Sequence, residues 1–134
     1  MEIVQLRTTR RCEMLDVTTQ LQAVVGRSGV REGVVVAQSL HTTAGLTINE
    51  NADPDVRHDL LSKLQQLVPH DEVFYRHGEG NSDSHLKTSF FGPSVTVIVS
   101  GGRLLLGRWQ GVYFCEFDGP REREVAVQVV GAAG

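Results

Sequence analysis

The sequence predicts an α+β fold with a sandwich-like, mainly antiparallel β core and two principal helices. Short runs rich in β-branched and aromatic residues, typical of strands, recur along the chain and crowd its C-terminal half. Helical periodicity occurs in two places only, at about residues 18–28 and 54–68, and strands and helices do not alternate regularly. The length of 134 residues predicts one domain, covering 1–134.

The predicted strands are short and are bounded by glycine or polar residues. In the opening segment, 2–8, two sets of side chains alternate with the period of two that a strand shows. The remaining strands are predicted at 34–37, 95–99, 112–117 and 125–130.

The first predicted helix spans about 18–28. A threonine, Thr18 or Thr19, is expected to cap its start. Gly29 supplies the left-handed residue that ends it. Its apolar stripe consists of Leu21, Val24 and Val25.

The second predicted helix, about 54–68, has clear boundaries. Asp53 is a strong N-cap, and Pro54 suits the first helical position because its missing N–H costs nothing there. Pro69 ends the helix. The apolar stripe that would face the core consists of Val56, Leu60, Leu61, Leu64, Leu67 and Val68.

Composition and charge disfavour several classes of function. Thirteen Lys and Arg against 16 Asp and Glu give a formal charge of −3, which disfavours a broad nucleic-acid surface. No apolar run is long enough to span a membrane or to act as a secretion signal, so we expect a cytoplasmic protein without a membrane anchor. Cys12 and Cys115 are expected to be reduced core thiols. The motifs of P-loop, dinucleotide-binding, zinc-protease and α/β-hydrolase proteins are absent.

The first candidate site follows Leu40. Residues 41–48 alternate, which predicts a strand with core residues Thr42, Ala44, Leu46 and Ile48. Its polar face would carry His41, Thr43, Gly45, Thr47 and Asn49. The strand runs through Glu50 and Asn51 into the helix capped by Asp53, where free N–H groups and the helix dipole favour an anion. The alternative is an ordinary edge strand before a capped helix.

The second candidate site is the segment 75–85. It holds His77, Glu79, Asn81 and His85, and its two glycines let the backbone approach a ligand closely. His85 is predicted to open a strand. That strand's polar face would also carry Lys87 and Ser89.

Three histidines would converge if these two strands lie close together: His41, His77 and His85. With a water in the open position they suit a divalent metal such as zinc. They also suit a phosphate clamp or acid–base chemistry near neutral pH. Their spacing is no compact metal motif, so these alternatives stay open. His58 and His70 are expected at the surface.

The third candidate segment is 107–121, which contains the single tryptophan, Trp109, followed by Gln110. Glu116 falls on an apolar face of the predicted strand, where a buried acid needs a partner. Arg121 or a histidine is the expected partner. The alternative is a glutamate at the rim of a strand end.

Several segments, in this order, resemble the motifs of the YjbQ family over roughly residues 8–131. They are HTTAGLTINENADPDV at 41–56, YRH at 75–77, EGN at 79–81, HLK at 85–87, GPS at 92–94, WQG at 109–111 and FDGPR at 117–121. The resemblance implies an α+β fold with a sandwich-like β core and assembly as a homotrimer. It also implies a secondary thiamine-phosphate synthase. Such an enzyme joins a pyrimidine diphosphate to a thiazole phosphate with loss of pyrophosphate, here as a side activity of a pocket for phosphorylated metabolites.

Pattern and resemblance together predict the site residues. The candidate catalytic residues are His41, His77, His85 and Glu50, and the three histidines are also the candidate ligands of a divalent metal, Mg or Zn. The candidate ligand-binding residues are Thr43, Asn49, Asn51, Asp53, Glu79, Asn81, Lys87, Ser89, Trp109, Gln110 and Arg121.

One position departs from the family pattern, because Arg108 stands where a threonine usually precedes Trp-Gln. In the pocket, this added cation would favour a more anionic ligand; at the rim it would change little. Two alternatives to the transferase remain. One is a metal-dependent hydrolase built on the three histidines, and the other is a non-catalytic trimeric module that binds a metabolite.

Overall fold

The computed structural model describes residues 1–133, which form two antiparallel sheets and three helices. The strands are β1 (Glu2–Arg7), β2 (Glu13–Asp16), β3 (Glu32–Ser39), β4 (Ala44–Glu50), β5 (Ser94–Ser100), β6 (Arg103–Leu104), β7 (Gln110–Glu116) and β8 (Glu122–Gly131). The helices are α1 (Thr18–Ser28), α2 (Pro54–Leu67) and α3 (Ser82–Phe91). The predicted α+β class and antiparallel core are confirmed.

The main apolar core lies between the two sheets. The larger sheet has the order β1-β8-β3-β5-β6, and the smaller has the order β2-β7-β4. Val35 and Val127 of the larger sheet pack with Phe114 of the smaller one, and Leu21 of α1 joins the same cluster. The apolar stripe predicted for α1 therefore faces this core.

Strand β7 is buried along almost its whole length because both of its faces are covered. Val112 and Phe114 enter the core between the sheets. Tyr113, Cys115 and the following Phe117 face the other way and form a second cluster. Leucines of α2 and Phe91 of α3 pack on that cluster, so these two helices form an outer layer on the smaller sheet.

The predicted helix boundaries are largely confirmed. Asp53 caps α2 by accepting the N–H of Asp55 at 2.9 Å, and Gly29 ends α1 with a φ of 72°. The expected threonine cap of α1 is wrong. Instead, Oδ1 of Asp16 accepts the N–H of Thr18 at 2.9 Å, while the Thr18 hydroxyl accepts the N–H of Val112.

The strand predicted over 41–48 is wrong in its first part, since β4 begins at Ala44. His41 and Thr43 lie in the turn before it. Ser39 closes this turn, because its hydroxyl accepts the His41 N–H and donates to the Ala44 carbonyl. The polar face expected at Gly45 is buried: a Cβ there would lie 2.6 Å from the carbonyl oxygen of Gly92.

The strand predicted from His85 is also wrong, because this segment is the helix α3. Its buried residues are Asp83, Ser84, Lys87 and Thr88. These residues lie three or four apart and therefore share one helix face. Since that face is polar, the segment has no apolar stripe by which a helix is recognised in sequence.

The cysteine expectation is confirmed in part. Both cysteines are unpaired, with Cys115 fully buried and Cys12 only partly so. Within residues 1–133, no helix combines the length and apolar character needed to cross a membrane.

Candidate functional site

A cavity of about 310 Å³ lies where the turn before β4, the start of α3 and the turn between β7 and β8 meet. We call it the polar pocket. Its polar lining includes His41, Thr43, Glu79, Asn81, His85, Asp118, Arg121 and Arg123. The fold thus brings together six of the predicted site residues, namely His41, Thr43, Glu79, Asn81, His85 and Arg121.

A buried ion pair between Glu116 and Arg123 borders the polar pocket. Their side chains are 0% and 2% exposed. Nε of Arg123 donates to one Glu116 oxygen at 2.8 Å, and Nη2 donates to the other. Burial alone would raise the pKa of Glu116, but hydrogen bonds from Arg123 and Thr8 outweigh burial, and the pKa lies below its usual value. Glu116 is therefore a carboxylate that neutralises Arg123.

The partner expected for Glu116 is corrected by this geometry. Arg121 does not reach Glu116; it binds Asp118, with Nη2 at 3.0 Å from the carboxylate and Nε at 2.9 Å from the carbonyl oxygen. Arg121 begins the return into β8 and is exposed, whereas Arg123 lies inside that strand and is buried.

The ion pair holds two walls of the polar pocket in place. Arg123 donates to the Thr43 hydroxyl at 2.8 Å, which fixes the turn before β4. Glu116 accepts the N–H of Asp118 at 3.0 Å, which fixes the turn after β7. The Thr8 hydroxyl also donates to Glu116, at 2.7 Å.

Asp118 links this turn to the start of α3. Its Oδ2 accepts from Nδ2 of Asn81 at 2.7 Å as well as from Arg121. Asn81 precedes the first residue of α3, and only 8% of its surface is exposed. The position of α3, and with it that of His85, is therefore tied to the turn that carries Arg121.

His41 lines the polar pocket with a ring whose tautomer is fixed by a backbone hydrogen bond. Its Nε2 lies 2.8 Å from the backbone N–H of Glu124 and must accept that proton, so the neutral ring carries its own proton on Nδ1. Burial, followed by the nearby Arg123 charge, lowers the pKa of His41 below its usual value. His41 is therefore an uncharged donor at neutral pH.

An apolar groove of about 550 Å³ adjoins the polar pocket. It is lined by residues 74–77 together with Ser82, His85 and Leu86. The rings of His77 and His85 meet edge to face, with centroids 5.1 Å apart. His85 lines both cavities, whereas His77 lines the groove and not the polar pocket.

The other predicted site residues near Asp53 lie at the opposite end of β4. Strand β4 spans seven residues from Ala44 to Glu50, a length of about 20 Å. Contacts within this distant group include the Asn51 N–H to the Trp109 carbonyl at 2.9 Å. The predicted residues in this group are Asn49, Glu50, Asn51, Asp53, Trp109 and Gln110. In the single chain, these residues do not join the polar pocket.

Three further residues have positions that differ from the predicted site. Lys87 lies on the buried face of α3, with its Nζ at 2.9 Å from Oδ2 of Asp83. Ser89 lies on the exposed face of the same helix. Arg108 stacks on the ring of Trp109, with its guanidinium carbon 4.7 Å from the ring centroid. Arg108 therefore adds no charge to the polar pocket.

The three predicted metal ligands are divided between two cavities, because His41 lines the polar pocket, His77 lines the apolar groove and His85 lines both. His41 already uses Nε2 for the Glu124 amide. In the part of the chain that the structure describes, no group of three His, Cys, Asp or Glu side chains is arranged to hold a metal ion. The divalent metal therefore stays a prediction.

Two residues of the site were missed in the sequence. Arg123 had no distinguishing pattern of its own, although a buried acid on β7 required a cation somewhere. Asp118 lies in the FDGPR motif at 117–121 but is not among the predicted site residues. Its position one residue before glycine and two before proline gave no sign that its carboxylate would bind both Asn81 and Arg121.

A family model described as UPF0047 protein YjbQ-like matches residues 2–132. The chain belongs to the YjbQ family. The resemblance seen in the sequence motifs is therefore confirmed, and the match spans all of the segments that form the polar pocket and the apolar groove.

Named relatives support the same assignment. The UPF0047 protein YugU of Bacillus subtilis is 47% identical over 131 residues, 98% of this chain and 99% of YugU. The UPF0047 protein MJ1081 of Methanocaldococcus jannaschii is 48% identical over 127 residues, 95% of this chain and 91% of that protein. Neither name states an activity.

The fold is shared with solved structures of the family. The crystal structure of an uncharacterised YjbQ/UPF0047 protein from Clostridium acetobutylicum is 45% identical, with a TM-score of 0.95, and the match covers 97% of this chain and 100% of that one. A YbjQ-like protein of unknown function from Sulfolobus solfataricus reaches a TM-score of 0.93 at 29% identity, over 98% and 96% of the two chains.

Proposed function

We propose that the protein binds a small phosphorylated metabolite with a ring across the polar pocket and the apolar groove. We further propose that it catalyses a thiamine-phosphate-synthase-like transfer there as a side activity. The observation that carries this proposal is the meeting of a polar and an apolar cavity at His85. A ligand with an anionic end and a heterocyclic body has the same two-part character.

The polar pocket supplies directed donors for the phosphoryl end. Asp118 holds Arg121 through Nε and Nη2, which leaves Nη1 to face a ligand. His41 adds its Nδ1–H, and the N-terminus of α3 lies beside Asn81 with its positive dipole end. These groups are aimed by their neighbours before any ligand arrives, which lowers the cost of ordering them on binding.

The apolar groove suits the ring of the ligand. Phe74 is 69% exposed and packs edge to face on Tyr75, whose hydroxyl is anchored to the Pro69 carbonyl at 2.9 Å. His77 and Leu86 complete the surface. A planar heterocycle would cover aromatic area that is otherwise exposed to water.

In the proposed transfer, the bond between the pyrimidine methylene carbon and a pyrophosphate oxygen breaks, and that oxygen keeps the electron pair. The thiazole nitrogen then forms the new bond to the methylene carbon. Negative charge builds up on the departing pyrophosphate, where Arg121 and the ring N–H of His85 would stabilise it. His85 is partly exposed and lies at the junction of both cavities, the place where leaving group and ring meet.

Thiochrome fluorescence tests this proposal. The full chain is mixed with the pyrimidine diphosphate, the thiazole phosphate and either Mg²⁺ or Zn²⁺. We expect product from the wild type and a loss of about 100-fold or more in His85→Ala, the size of the loss when one donor that stabilises transition-state charge is removed. The matched control is His58→Ala, which removes an exposed histidine of α2 and should retain activity.

The absence of product with either metal would contradict the transferase. A rise in melting temperature with the thiazole phosphate alone would then identify a binding module. Metal retained through purification and lost in His85→Ala would instead support the three-histidine hydrolase.

We also propose that the protein forms a homotrimer, as the family resemblance implies. The outer face of the larger sheet supports self-association, because Ile98 and Val130 are both paired with Val34 and are more than half exposed. Light scattering should give three times the chain mass, and Ile98→Lys should reduce it. Ser62→Lys, on exposed α2 surface, is the control. A monomeric wild type would contradict the proposal.

A further inference from the structure

The side-chain amide of Asn81 is fixed in one orientation beside the polar pocket. Its Nδ2 donates to Asp118 at 2.7 Å, and a carboxylate only accepts, so the nitrogen must face Asp118. The other amide atom, Oδ1, is a buried acceptor without a hydrogen-bond partner. It is the one such side-chain atom within residues 1–133, and Asn81 itself is 8% exposed.

A buried oxygen of this kind selects for a hydrogen-bond donor. Interior polar groups are nearly always paired, because an acceptor removed from water without a donor is costly. An unpaired acceptor on a residue that lines a cavity therefore indicates a ligand with an N–H or O–H group. A fully deprotonated anion lacks such a group.

The charges around the polar pocket favour the same kind of ligand. Glu79 and Asp118 are carboxylates of its lining, and Glu116 already neutralises Arg123. A dianionic phosphoryl group would meet these carboxylates with two negative charges. A phosphoryl group that keeps one proton carries less charge and gains a donor.

We infer that the polar pocket binds a phosphoryl group in its singly protonated form. Its P–O–H donates to Oδ1 of Asn81, and its unprotonated oxygens accept from Arg121 and from Nδ1–H of His41. This inference rests on the proposed function and names the ligand class of the same site. The class comprises phosphate monoesters and the terminal phosphoryl groups of diphosphates; phosphodiesters and sulfates have no such proton.

Methyl phosphate and methyl sulfate test the inference, because they have similar size and shape but only the phosphate monoester carries a proton, which it loses with a pKa of about 6. By calorimetry at pH 5.5 and constant ionic strength, the full chain should bind methyl phosphate about tenfold or more tightly than methyl sulfate. The ratio of the two affinities should fall towards pH 8, where methyl phosphate has lost its only proton. The ratio of affinities reports the proton of the ligand, because the titratable and charged groups that face the ligand act on both anions. These groups are His41, His85, Glu79, Asp118, Arg121 and Arg123.

A substitution of Asn81 tests whether this residue distinguishes the two anions. Asn81→Ala should bring the ratio close to one, while Gln66→Ala, which removes an exposed side-chain amide of α2, should leave it unchanged. Thermal unfolding checks that both variants fold. If Asn81→Ala does not fold, the pH dependence of the wild-type ratio decides.

Two results would overturn the inference. Equal affinity of the wild type for methyl phosphate and methyl sulfate at pH 5.5 would overturn the protonated form while leaving the phosphoryl pocket of the proposed function in place. No binding of either anion would overturn both proposals together.

Discussion

At the scale of single residues, the buried pair Glu116 and Arg123 determines the form of the polar pocket. Apolar side chains of similar volume would stabilise the interior as well or better, so stability alone does not account for an ion pair there. The pair instead holds two connections of the chain in fixed positions. It binds Thr43 on one connection and the Asp118 amide on another, and thereby fixes the distance between two pocket walls.

Glu116→Gln is expected to lower the free energy of unfolding by about 3 kcal/mol, because Arg123 keeps its buried charge without a counter-charge. Urea unfolding measures the loss. The control Glu122→Gln removes one partner of an exposed pair with Arg7 and should cost about 0.5 kcal/mol or less. The double variant Glu116→Gln/Arg123→Met should recover part of the stability. A loss in Glu116→Gln no larger than in the control would contradict the structural role.

The titration of His41 makes the free energy of unfolding depend on pH, and the sign of this dependence follows from the direction of its pKa shift. Its folded pKa is lowered, by burial and then by Arg123, below the unfolded value of about 6.5. The folded state then binds fewer protons than the unfolded state in that window. The contribution of His41 to stability is therefore complete above about pH 6.5 and is lost as pH falls through the lowered pKa.

Urea unfolding between pH 5 and 7.5 measures this effect as the difference between wild type and His41→Gln. We expect the wild type to lose more stability than the variant on acidification, because glutamine still reaches the Glu124 amide but does not titrate. His58→Gln, at an exposed site, should follow the wild type. Parallel curves for wild type and His41→Gln would show that His41 does not carry the effect.

At the scale of elements, α3 is held to the smaller sheet by polar contacts rather than by an apolar stripe. Asp83 is fully buried and accepts two hydrogen bonds from Arg11, at 2.9 and 3.1 Å, and one from Lys87 at 2.9 Å. Ser84 adds a hydrogen bond to the Phe117 carbonyl. These contacts set the start of α3, where Asn81 and His85 face the polar pocket.

Asp83→Asn is expected to destabilise the protein by about 3 kcal/mol, because it leaves the buried ammonium of Lys87 without a counter-charge. Chemical unfolding measures the change, and Asp59→Asn, the same replacement at a site that is 80% exposed, should stay within about 0.5 kcal/mol. An unfolding free energy equal to that of the control would mean that the contacts of Asp83 do not anchor α3.

At the scale of the whole molecule, the layers place the polar pocket at the junction of the two sheets. Arg123 comes from the larger sheet, Glu116 from the smaller one, and Asn81 from the outer helical layer. Because the pocket is built from all three layers, its geometry depends on how they pack. The residues at the far end of β4 belong to the smaller sheet and its helix and remain apart in a single chain.

Much of the fold follows from the sequence alone. Five strand segments and both predicted helices lie where local pattern places them, because apolar period and capping residues such as Asp53 and Gly29 act over a few neighbours. The family, too, is readable from motifs that stand in order along the chain. Five pocket residues were identified from polar patterns around His41 and His85, and Arg121 was identified from segment 107–121.

Tertiary structure decided what local pattern could not express. Segment 82–91 has the alternation of a strand but is a helix, because its polar face is satisfied by Arg11 and by the Phe117 carbonyl, which are distant in sequence. The partner of Glu116 proved to be Arg123 rather than Arg121, since only burial in a strand of the facing sheet brings a guanidinium to that carboxylate. Short-range periodicity thus determined the elements, and long-range pairing of buried charges determined the site.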